Sequence, residues 1–219
     1  MTQQLHYVPA APSHTAPRSI PLSRRLWGLD WEDVLPWQID DVSVELGSLE
    51  EALPFMRDHY TEIFSAGDGR FFTEMMSEAK RRFFTEMDIF LLRASGETVG
   101  LVMGHPSDWS TYYMRSVALL AEYRARGVFP RFLEHFYGPV RDAGVERIEA
   151  DASPSNQAVI RLHLSQGSIV TATGSSERWG AFVRFTKFLN QEPHDVFHRQ
   201  FCSMPVRNGL PPKRERSRS

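Results

Sequence analysis

Hydrophobic positions in the first part of the chain follow strand spacing once and helical spacing twice. The alternating segment Val42-Ser43-Val44-Glu45-Leu46 predicts a short strand. Ser48 and Glu51 then stand in the S-x-x-E spacing of a helix start, and apolar residues follow at helical spacing: Leu49, Leu53, Met56, Tyr60 and Ile63. A second helix is predicted over about 70–86, with an apolar stripe formed by Phe72, Met75, Met76, Ala79 and Phe83.

The middle of the chain changes from strand spacing to helical spacing. The apolar runs 89–92 and 99–103 flank Gly96 and predict a β-hairpin. The next strand, the fourth of the chain, is predicted over about 111–120. The helix that follows has apolar residues at i, i+3, i+4, i+7 and i+11, namely Phe129, Phe132, Leu133, Phe136 and Val140. Gly138-Pro139 is expected to kink or end this helix.

The last patterned part contains three strands and one helix. Residues Val145–Ala152 alternate as in a strand, and a helix from Asn156 to Gln166 is closed by Gly167. Two final strands are predicted over 168–173 and 181–189, and the regular pattern fades from Asn190 onward. The order of these elements indicates a mixed α/β domain with a sheet flanked by helices.

The patterned region at 41–189 is flanked by segments of different composition. Residues 1–25 are rich in Pro, Ser and His without periodicity, which is typical of an extended arm. Trp27, Trp31 and Trp37 follow within eleven positions, and since three exposed indoles are rare, residues 26–40 are expected to lie against the domain or a partner, with the domain favoured. We therefore predict a partly flexible N-terminal extension at 1–40, one domain at 41–189 and a C-terminal tail at 190–219.

Composition excludes several classes of function. Lys and Arg total 25 and Asp and Glu total 27, so the protein has no excess positive charge for nucleic acid, and the basic C-terminal end is interpreted as solvated. Cys202 is the only cysteine, which excludes an intrachain disulfide and a four-thiolate zinc site, and no metal is expected. No apolar run approaches the roughly 20 residues of a membrane span. These features favour a cytoplasmic protein without a membrane partner.

The residues between the fourth strand, at 111–120, and the helix at Phe129 form a candidate anion site. The strand runs through Glu122-Tyr123 into Arg124-Ala125-Arg126-Gly127-Val128 and directly into the helix. Backbone N–H groups at a helix start have no intrahelical acceptor and lie at the positive end of the helix dipole, so a diphosphate can accept hydrogen bonds from several of them. Gly127 permits close approach of the ligand to the backbone.

Two motifs resemble those of the GNAT acyltransferases. Arg124 and Gly127, preceded by SVALLAEYR, match the pyrophosphate-binding signature [QR]-x-x-G-x-[GA], although Phe129 replaces its final small residue. A second match to N-x-x-[AV]-I-x-L-Y-x-x-x-G is formed by Asn156, Val159, Ile160, Leu162 and Gly167. The resemblance covers about residues 41–189. It implies a mostly antiparallel sheet with splayed fourth and fifth strands, flanked by helices, and a donor that is acetyl-CoA or another acyl-CoA.

The resemblance also implies roles for individual residues. The diphosphate would bind at Arg124, Ala125, Arg126, Gly127, Val128 and Phe129, with Asn156 of the second motif as a further cofactor contact. The pantetheine arm would lie beside Val117 and Leu119, and a backbone N–H near Leu119 would polarise the acyl carbonyl. His163 replaces the family's tyrosine, which protonates the departing thiolate. At pH 7 about a quarter of free histidine is the cation, so His163 is a candidate acid, and a half-buried packing role is an equal alternative.

The base that would deprotonate the acceptor amine is left open by the sequence. The family's usual acidic residue is missing between Thr111 and Leu120. The remaining candidates for a base or an acceptor contact are Glu149 and Asp151 on one face of the fifth strand and His105 in the loop before the fourth. Carboxylates at strand ends are more often solvated or paired with arginine. Arg115, which lies among apolar neighbours, is a candidate for holding an acidic group.

The function that the resemblance implies is transfer of an acyl group from acyl-CoA to an amine of a small molecule or peptide by direct attack. Cys202 lies outside both motifs, which disfavours a covalent cysteine intermediate. Two alternatives remain: a catalytically silent acyl-CoA-binding or scaffold protein, and an acyltransferase whose donor is a carrier protein that docks at 26–40 or the basic tail. A homodimer is also left open.

Overall fold

The centre of the computed structural model is one eight-stranded sheet in the order β1-β2-β3-β4-β5-β6-β8-β7. The structure describes residues 20–64, 77–176 and 180–197. The strands are β1 Trp37–Ile39, β2 Val42–Leu46, β3 Asp88–Ala94, β4 Glu97–Pro106, β5 Thr111–Leu119, β6 Arg147–Ala152, β7 Ile169–Ser176 and β8 Gly180–Phe188. Neighbouring strands are antiparallel except for β5 and β6, which are parallel and joined by a helical crossover.

Helices cover both faces of the sheet. They are α1 Leu22–Trp27, α2 Leu49–Phe64, α3 Glu78–Thr85, α4 Val128–Asp142, α5 Gln157–Ser165 and α6 Gln191–Phe197. One face packs against α4 and α5, and we call it the α4 face. The opposite face packs against α2 and α3, and we call it the α3 face. The mostly antiparallel sheet flanked by helices agrees with the predicted fold class.

The larger core lies on the α4 face and is rich in aromatic rings. Trp31 is 2% exposed; its ring stacks on Phe136 at a centroid distance of 5.2 Å and meets Phe90 edge-on at 4.8 Å. Trp27 and Trp37 pack against the same cluster. Residues 26–40, which were expected to lie against the domain, therefore contribute to its core, and β1 within them is the edge strand of the sheet.

The core on the α3 face is smaller and aliphatic. Leu49, Ala52 and Phe55 of α2 pack with Phe84 of α3 against the sheet. Ser48 and Glu51 form the predicted reciprocal cap at the start of α2, since Ser48 N–H donates to the Glu51 carboxylate and Glu51 N–H donates to the Ser48 hydroxyl. The local sequence signal and the tertiary contact agree at this helix.

Several element boundaries differ from the predictions. Helix α3 begins at Glu78, after Ser77 accepts a hydrogen bond from Lys80 N–H, and the first part of the predicted 70–86 helix lies outside the described residues. Helix α4 does not end at Gly138-Pro139 but continues to Asp142. Burial of Phe136 and Val140 in the core holds this turn together although Pro139 cannot donate a backbone hydrogen bond.

Two further helices lie where no regular pattern was expected. Helix α1 begins at Leu22 inside the predicted extended arm, where Ser23 donates a hydrogen bond to buried Asp88. Helix α6 follows Asn190, and its Phe197 ring lies 5.7 Å from the Phe188 ring of β8. Both helices are shorter than eight residues and are held by contacts with other elements, so neither has a periodicity that sequence alone can detect.

Candidate functional site

Strands β5 and β6 diverge after a short region of pairing. Thr111–Tyr113 of β5 pairs with Arg147–Glu149 of β6, and no further pair joins the two strands. Beyond this point β5 follows β4 to Leu119, whereas β6 follows β8 to Ala152. Alternate backbone N–H and C=O groups of β5 therefore face a gap in the sheet instead of a neighbouring strand. The gap is the splay between strands that the resemblance implied.

A β-bulge lies in β5 at the edge of this gap. In the β4–β5 ladder Met103 pairs with Ser116 and Gly104 pairs with Met114, so Arg115 is the extra residue. A bulge changes which side chains point to each face of a sheet. Before the bulge the even-numbered residues of β5 face one side of the sheet, and after it the odd-numbered residues face that side.

The side chains on either side of the bulge confirm this change of face. Tyr112 before the bulge and Val117 and Leu119 after it all pack on the α4 face. The ring of Tyr113 lies instead on the α3 face, 5.7 Å from that of His105. Arg115 also faces α3, since its guanidinium carbon lies 5.4 Å from the centroid of the Phe83 ring. The gap is thus bordered by Val117 and Leu119 on the α4 face and by Tyr113 and Arg115 on the α3 face.

The loop between β5 and α4 presents backbone N–H groups on the α4 side. Ala125 and Gly127 have φ values of +57° and +75°, and α4 begins at Val128. Among the described residues, no acceptor receives a hydrogen bond from the N–H groups of residues 125–129. Consecutive free N–H groups at the positive end of a fifteen-residue helix form an anion-binding site. Binding of a diphosphate at this loop stays a prediction, with which the free N–H groups are compatible.

Three arginines hold this loop in place. Arg124 Nε donates to the Leu119 carbonyl at 2.8 Å, and Arg126 forms an ion pair with Asp41. Arg131 donates to both carboxylate oxygens of Asp40 and also to the carbonyls of residues 126 and 127. The hydrogen bonds from Arg131 lower the pKa of Asp40. Arg131 was missed by sequence reasoning, although its position four residues after Gly127 is the spacing that places it over the helix start.

The other predicted cofactor contacts lie around the same loop. Phe129 is 7% exposed and stacks on Phe132, so the bulky side chain that departs from the motif points into the core and leaves the loop open. Val128 is also buried. Asn156 caps α5, because its side-chain oxygen accepts a hydrogen bond from Val159 N–H at 3.2 Å. This cap gives Asn156 a local structural role, and its contact with a cofactor stays a prediction.

A cleft of about 560 Å³ opens on the α3 face beside the gap. Its lining includes two of the predicted catalytic candidates, His105 and Glu149, and six further residues, namely Phe83, Ser107, Asp108, Tyr113, Arg115 and Arg184. Asp151 does not line the cleft. The register of the sheet brings the two candidates together, since His105 lies opposite Tyr113 and Tyr113 lies opposite Glu149. Sequence reasoning did not identify Phe83, Tyr113 and Arg184 as site residues, because only strand pairing and helix docking place them here.

His105 has the geometry of a proton acceptor. Its Nδ1 lies 2.9 Å from the carbonyl oxygen of Pro106, and since a carbonyl can only accept, Nδ1 carries the hydrogen in this contact. Nε2 of the neutral ring is then left with a lone pair. Burial lowers the pKa of His105, the Pro106 carbonyl partly opposes this, and the charge of Arg115 lowers the pKa further. The imidazole is therefore neutral at neutral pH.

Glu149 and Asp151 are both paired with arginines. Arg184 donates to both oxygens of Asp151 at 2.8 and 2.9 Å and lies 3.3 Å from Glu149. The Tyr113 hydroxyl also donates to Asp151, and burial together with this carboxylate raises the pKa of Tyr113 to about 12. These hydrogen bonds and ion pairs already occupy the oxygens of both carboxylates. Their geometry suits positioning better than proton transfer.

His163 lies on the opposite face from these residues. Its ring is 9% exposed and stacks on Phe185 of β8 at 5.0 Å. Burial lowers the pKa of His163 to about 4, so at pH 7 only about one molecule in a thousand carries the imidazolium. The environment therefore opposes the role of general acid and favours the packing alternative.

The described residues contain neither a group of metal ligands nor a helix that could span a membrane. Within residues 20–64, 77–176 and 180–197, histidine, cysteine and carboxylate side chains form no group of three that could hold a metal ion. In the same part of the chain, none of the helices is both long enough and apolar enough to cross a bilayer.

Comparison with known proteins identifies a family and a set of similar folds. The model of the Acetyltransferase (GNAT) family matches residues 53–167. No curated protein matches the chain. One similar structure is a GNAT family acetyltransferase from Elizabethkingia anophelis with acetyl-CoA bound, at 12% identity and a TM-score of 0.51, covering 68% of this chain and 99% of that one.

Two further structures have the same fold at similarly low identity. The yncA protein from Salmonella typhimurium with its cofactor acetyl-CoA has 17% identity and a TM-score of 0.55, covering 69% of this chain and 96% of that one. The ribosomal-protein-S5-alanine acetyltransferase from Vibrio fischeri has 13% identity and a TM-score of 0.55, covering 71% of this chain and 97% of that one. At these identities the structures support the fold alone.

Proposed function

Because the chain belongs to the acetyltransferase (GNAT) family, we propose that it transfers the acetyl group of acetyl-CoA to an amine by direct attack through the gap between β5 and β6. The free N–H groups of residues 125–129 carry this proposal. They form a site for a diphosphate on the α4 face, at the end of the strand that borders the gap. Bound acetyl-CoA would supply an activated thioester.

The residues that would hold the donor lie on the α4 face. The N–H groups from Ala125 to Phe129 would bind the diphosphate, and Arg124 and Arg131 would keep the loop in the required conformation through their bonds to backbone carbonyls. Val117 and Leu119, which the bulge directs to this face, would contact the pantetheine arm. Backbone N–H groups of β5 that face the gap would polarise the acetyl carbonyl.

The acceptor would approach from the α3 face, through the cleft lined by His105. As the acceptor nitrogen forms its bond to the acetyl carbon, Nε2 of His105 would accept the proton that the nitrogen loses. The bond from the acetyl carbon to sulfur breaks, and the thiolate takes a proton from water. His163 has no part in this scheme, because it is neutral and stacked. No covalent enzyme intermediate is required, since donor and acceptor meet through the gap from opposite faces.

The proposal is tested by following thiol release from acetyl-CoA with a panel of amines. The panel contains free amino acids, polyamines and peptides with a free N-terminus, and the alcohol analogue of each amine is the control for N-specificity. We expect thiol release above the hydrolysis background and a product that carries one acetyl group on nitrogen. Binding of acetyl-CoA in calorimetry without turnover by any amine would favour a silent binding protein. Turnover only with acetyl groups on a carrier protein would favour the carrier-dependent alternative.

A further inference from the structure

Arg115 differs from Arg147 and Arg184 at the α3-face cleft because no carboxylate of a described residue pairs with it. Arg147 pairs with Asp108 at 3.3 Å, and Arg184 pairs with Asp151 at 2.8 Å. Arg115 makes no ion pair with any described residue, and its contact is the face of the Phe83 ring. A guanidinium in a cleft is well suited to bind a carboxylate through two parallel hydrogen bonds.

The backbone explains why this charge lies in the cleft. Arg115 is the extra residue of the bulge in β5, and the side chains before and after it contribute to the core of the α4 face. Alternation from Tyr113 already directs Arg115 to the α3 face, and the bulge then lets Val117 and Leu119 face the α4 side further along the strand. A charged residue in the middle of an otherwise apolar strand thus reaches solvent beside the gap.

The other charges at the cleft leave an excess of one negative charge. Among the described residues, the carboxylates of Asp108 and Glu149 in the lining and of Asp151 beside it face two guanidiniums, on Arg184 in the lining and on Arg147 beside it. His105 is neutral, so the cleft has a positive charge at Arg115 and a net negative charge at the ion-paired cluster. This arrangement is complementary to a molecule with an ammonium group at one end and an anionic group at the other.

Arg115 and His105 both contact the ring of Phe83, which favours a compact ligand. The guanidinium carbon of Arg115 is 5.4 Å from the Phe83 ring centroid, and the His105 ring centroid is 5.2 Å from the same point. The Phe83 ring is 43% exposed, so its remaining surface can contact an apolar part of the ligand. A free amino acid places an amine and a carboxylate a few bonds apart, which suits a cleft in which Arg115 and His105 both contact the same ring.

We propose that the acceptor is a free amino acid, whose carboxylate is bound by Arg115 while its amine lies beside His105 at the gap. This inference rests on the proposed acetyltransferase function and narrows its acceptor from amines in general to a compact amine that carries a carboxylate. Arg115 is a specificity residue in this assignment. It binds the same carboxylate before and after reaction, so it contributes to acceptor affinity more than to the chemical step.

The experiment compares each of the twenty common amino acids with its own carboxamide as acceptor for acetyl-CoA. The two compounds share a side chain; the carboxamide lacks the negative charge and has a less basic amine, so kcat/KM is compared on the concentration of neutral amine. For the preferred side chain we expect kcat/KM to be about tenfold to a hundredfold higher for the amino acid, as for a hydrogen bond to a charged group. Phosphoethanolamine is included, because a preference for it over every amino acid would overturn the carboxylate assignment.

Three variants connect this preference to Arg115. In Arg115→Gln we expect the ratio of amino acid to amide to fall toward one, mainly through a higher KM for the amino acid, and in Arg115→Lys we expect part of the ratio to return. The matched control is Arg82→Gln, which removes an equal charge from an exposed position of α3 outside the cleft. Acetyl-CoA affinity measured by calorimetry should be the same in all four proteins.

The outcomes separate this inference from the function on which it rests. Equal use of amino acids and amides by the unchanged protein, with clear thiol release, would overturn the inference and leave the acetyltransferase function standing. A ratio that survives in Arg115→Gln would also overturn the assignment of the carboxylate to Arg115. If neither amino acids nor amides raise thiol release, while polyamines or peptides do, only the inference fails. Absence of turnover with every amine would overturn both.

Discussion

The two faces of the sheet at the gap use different parts of the chain to recognise ligands. On the α4 face the candidate donor site consists of backbone N–H groups at residues 125–129, and the nearby arginines bond to protein atoms. On the α3 face the candidate acceptor site consists of side chains, with His105, Glu149 and Arg115 contributed by three different strands. The donor site is therefore a property of one continuous segment, whereas the acceptor site is a property of strand register.

This difference has a consequence for specificity. A backbone site tolerates changes of side chain, so Phe129 can replace a small residue while its ring turns into the core. A side-chain site changes its ligand whenever one residue is exchanged. We expect substitutions on the α4 face to affect binding of the donor, whatever the acceptor, and substitutions on the α3 face to affect one acceptor relative to another.

The largest expected effect comes from placing a negative charge at the donor site. Gly127→Glu brings a carboxylate close to the bound diphosphate, and repulsion of about 4 kcal/mol at an effective dielectric constant of 20 corresponds to about a thousandfold loss of acetyl-CoA affinity. The control is Gly144→Glu, at the opposite end of α4. Gly144 also has a positive φ and open space around it, so the backbone strain is similar. Equal affinity of the two variants in calorimetry would contradict the diphosphate site.

The electrostatic contrast between the faces predicts an effect of pH on stability. The carboxylates at the acceptor cleft are paired with arginines, whereas Asp88 on the α4 face is buried beside Ser23, Trp31 and Tyr112. The Ser23 hydroxyl donates to Asp88, while Trp31 and Tyr112 lie near the carboxyl but do not reach hydrogen-bond geometry. Burial raises the pKa of Asp88 from 3.8 to about 6, and these polar neighbours oppose the rise.

Because the pKa of Asp88 is higher in the folded state, the folded protein retains a proton that the unfolded chain loses above pH 4. The free energy of unfolding should therefore fall as pH rises from about 4 to about 6, by about 3 kcal/mol from this group, and should stay at the lower value above that range. Asp88→Asn keeps an acceptor for Ser23 and cannot ionise, so this part of the pH dependence should vanish. Urea denaturation at several pH values measures it, and identical slopes in both proteins would exclude the effect.

On the α3 face, loss of the proton acceptor should reduce turnover. We expect His105→Gln to lower kcat by about a hundredfold, the lower end of the range for general base catalysis, with unchanged affinity for acetyl-CoA. Since burial lowers the pKa of His105, the unchanged protein should remain active below pH 6.5 and lose activity only when the ring is protonated at lower pH. This acidic limb should be missing from the variant. A pH profile with the same limb in both proteins would assign the base to another group.

The smallest expected effect belongs to His163, which faces away from the acceptor cleft. His163→Phe replaces one ring that stacks on Phe185 with another of similar size. We expect kcat to change by less than about fivefold, which corresponds to less than about 1 kcal/mol of transition-state stabilisation. Steady-state kinetics at saturating acetyl-CoA decide the point. A much larger loss of kcat with normal acetyl-CoA binding would restore the role of acid that sequence resemblance implied.

Elements with a local signal could be predicted from the sequence, and elements held by distant contacts could not. The cap at Ser48, the hairpin at Gly96 and the helix start after Gly127 depend on neighbouring residues, and the structure has all three. Helices α1 and α6 have no repeating apolar stripe and depend on contacts with β3 and β8. The extension of α4 past Pro139 follows from burial of its far end, which a rule about proline alone does not include.

The sequence by itself determined the family resemblance, the mixed α/β class and the start of the helix at the candidate anion site, because each depends on residues close together in the chain. Tertiary structure decided which candidates meet at the gap. Strand register placed His105 beside Tyr113 and Glu149, the bulge directed Val117 and Leu119 to the α4 face while Arg115 stayed on the α3 face, and Arg184 formed an ion pair with Asp151. Burial made His163 neutral, since a ring removed from water loses the solvation that its charged form requires.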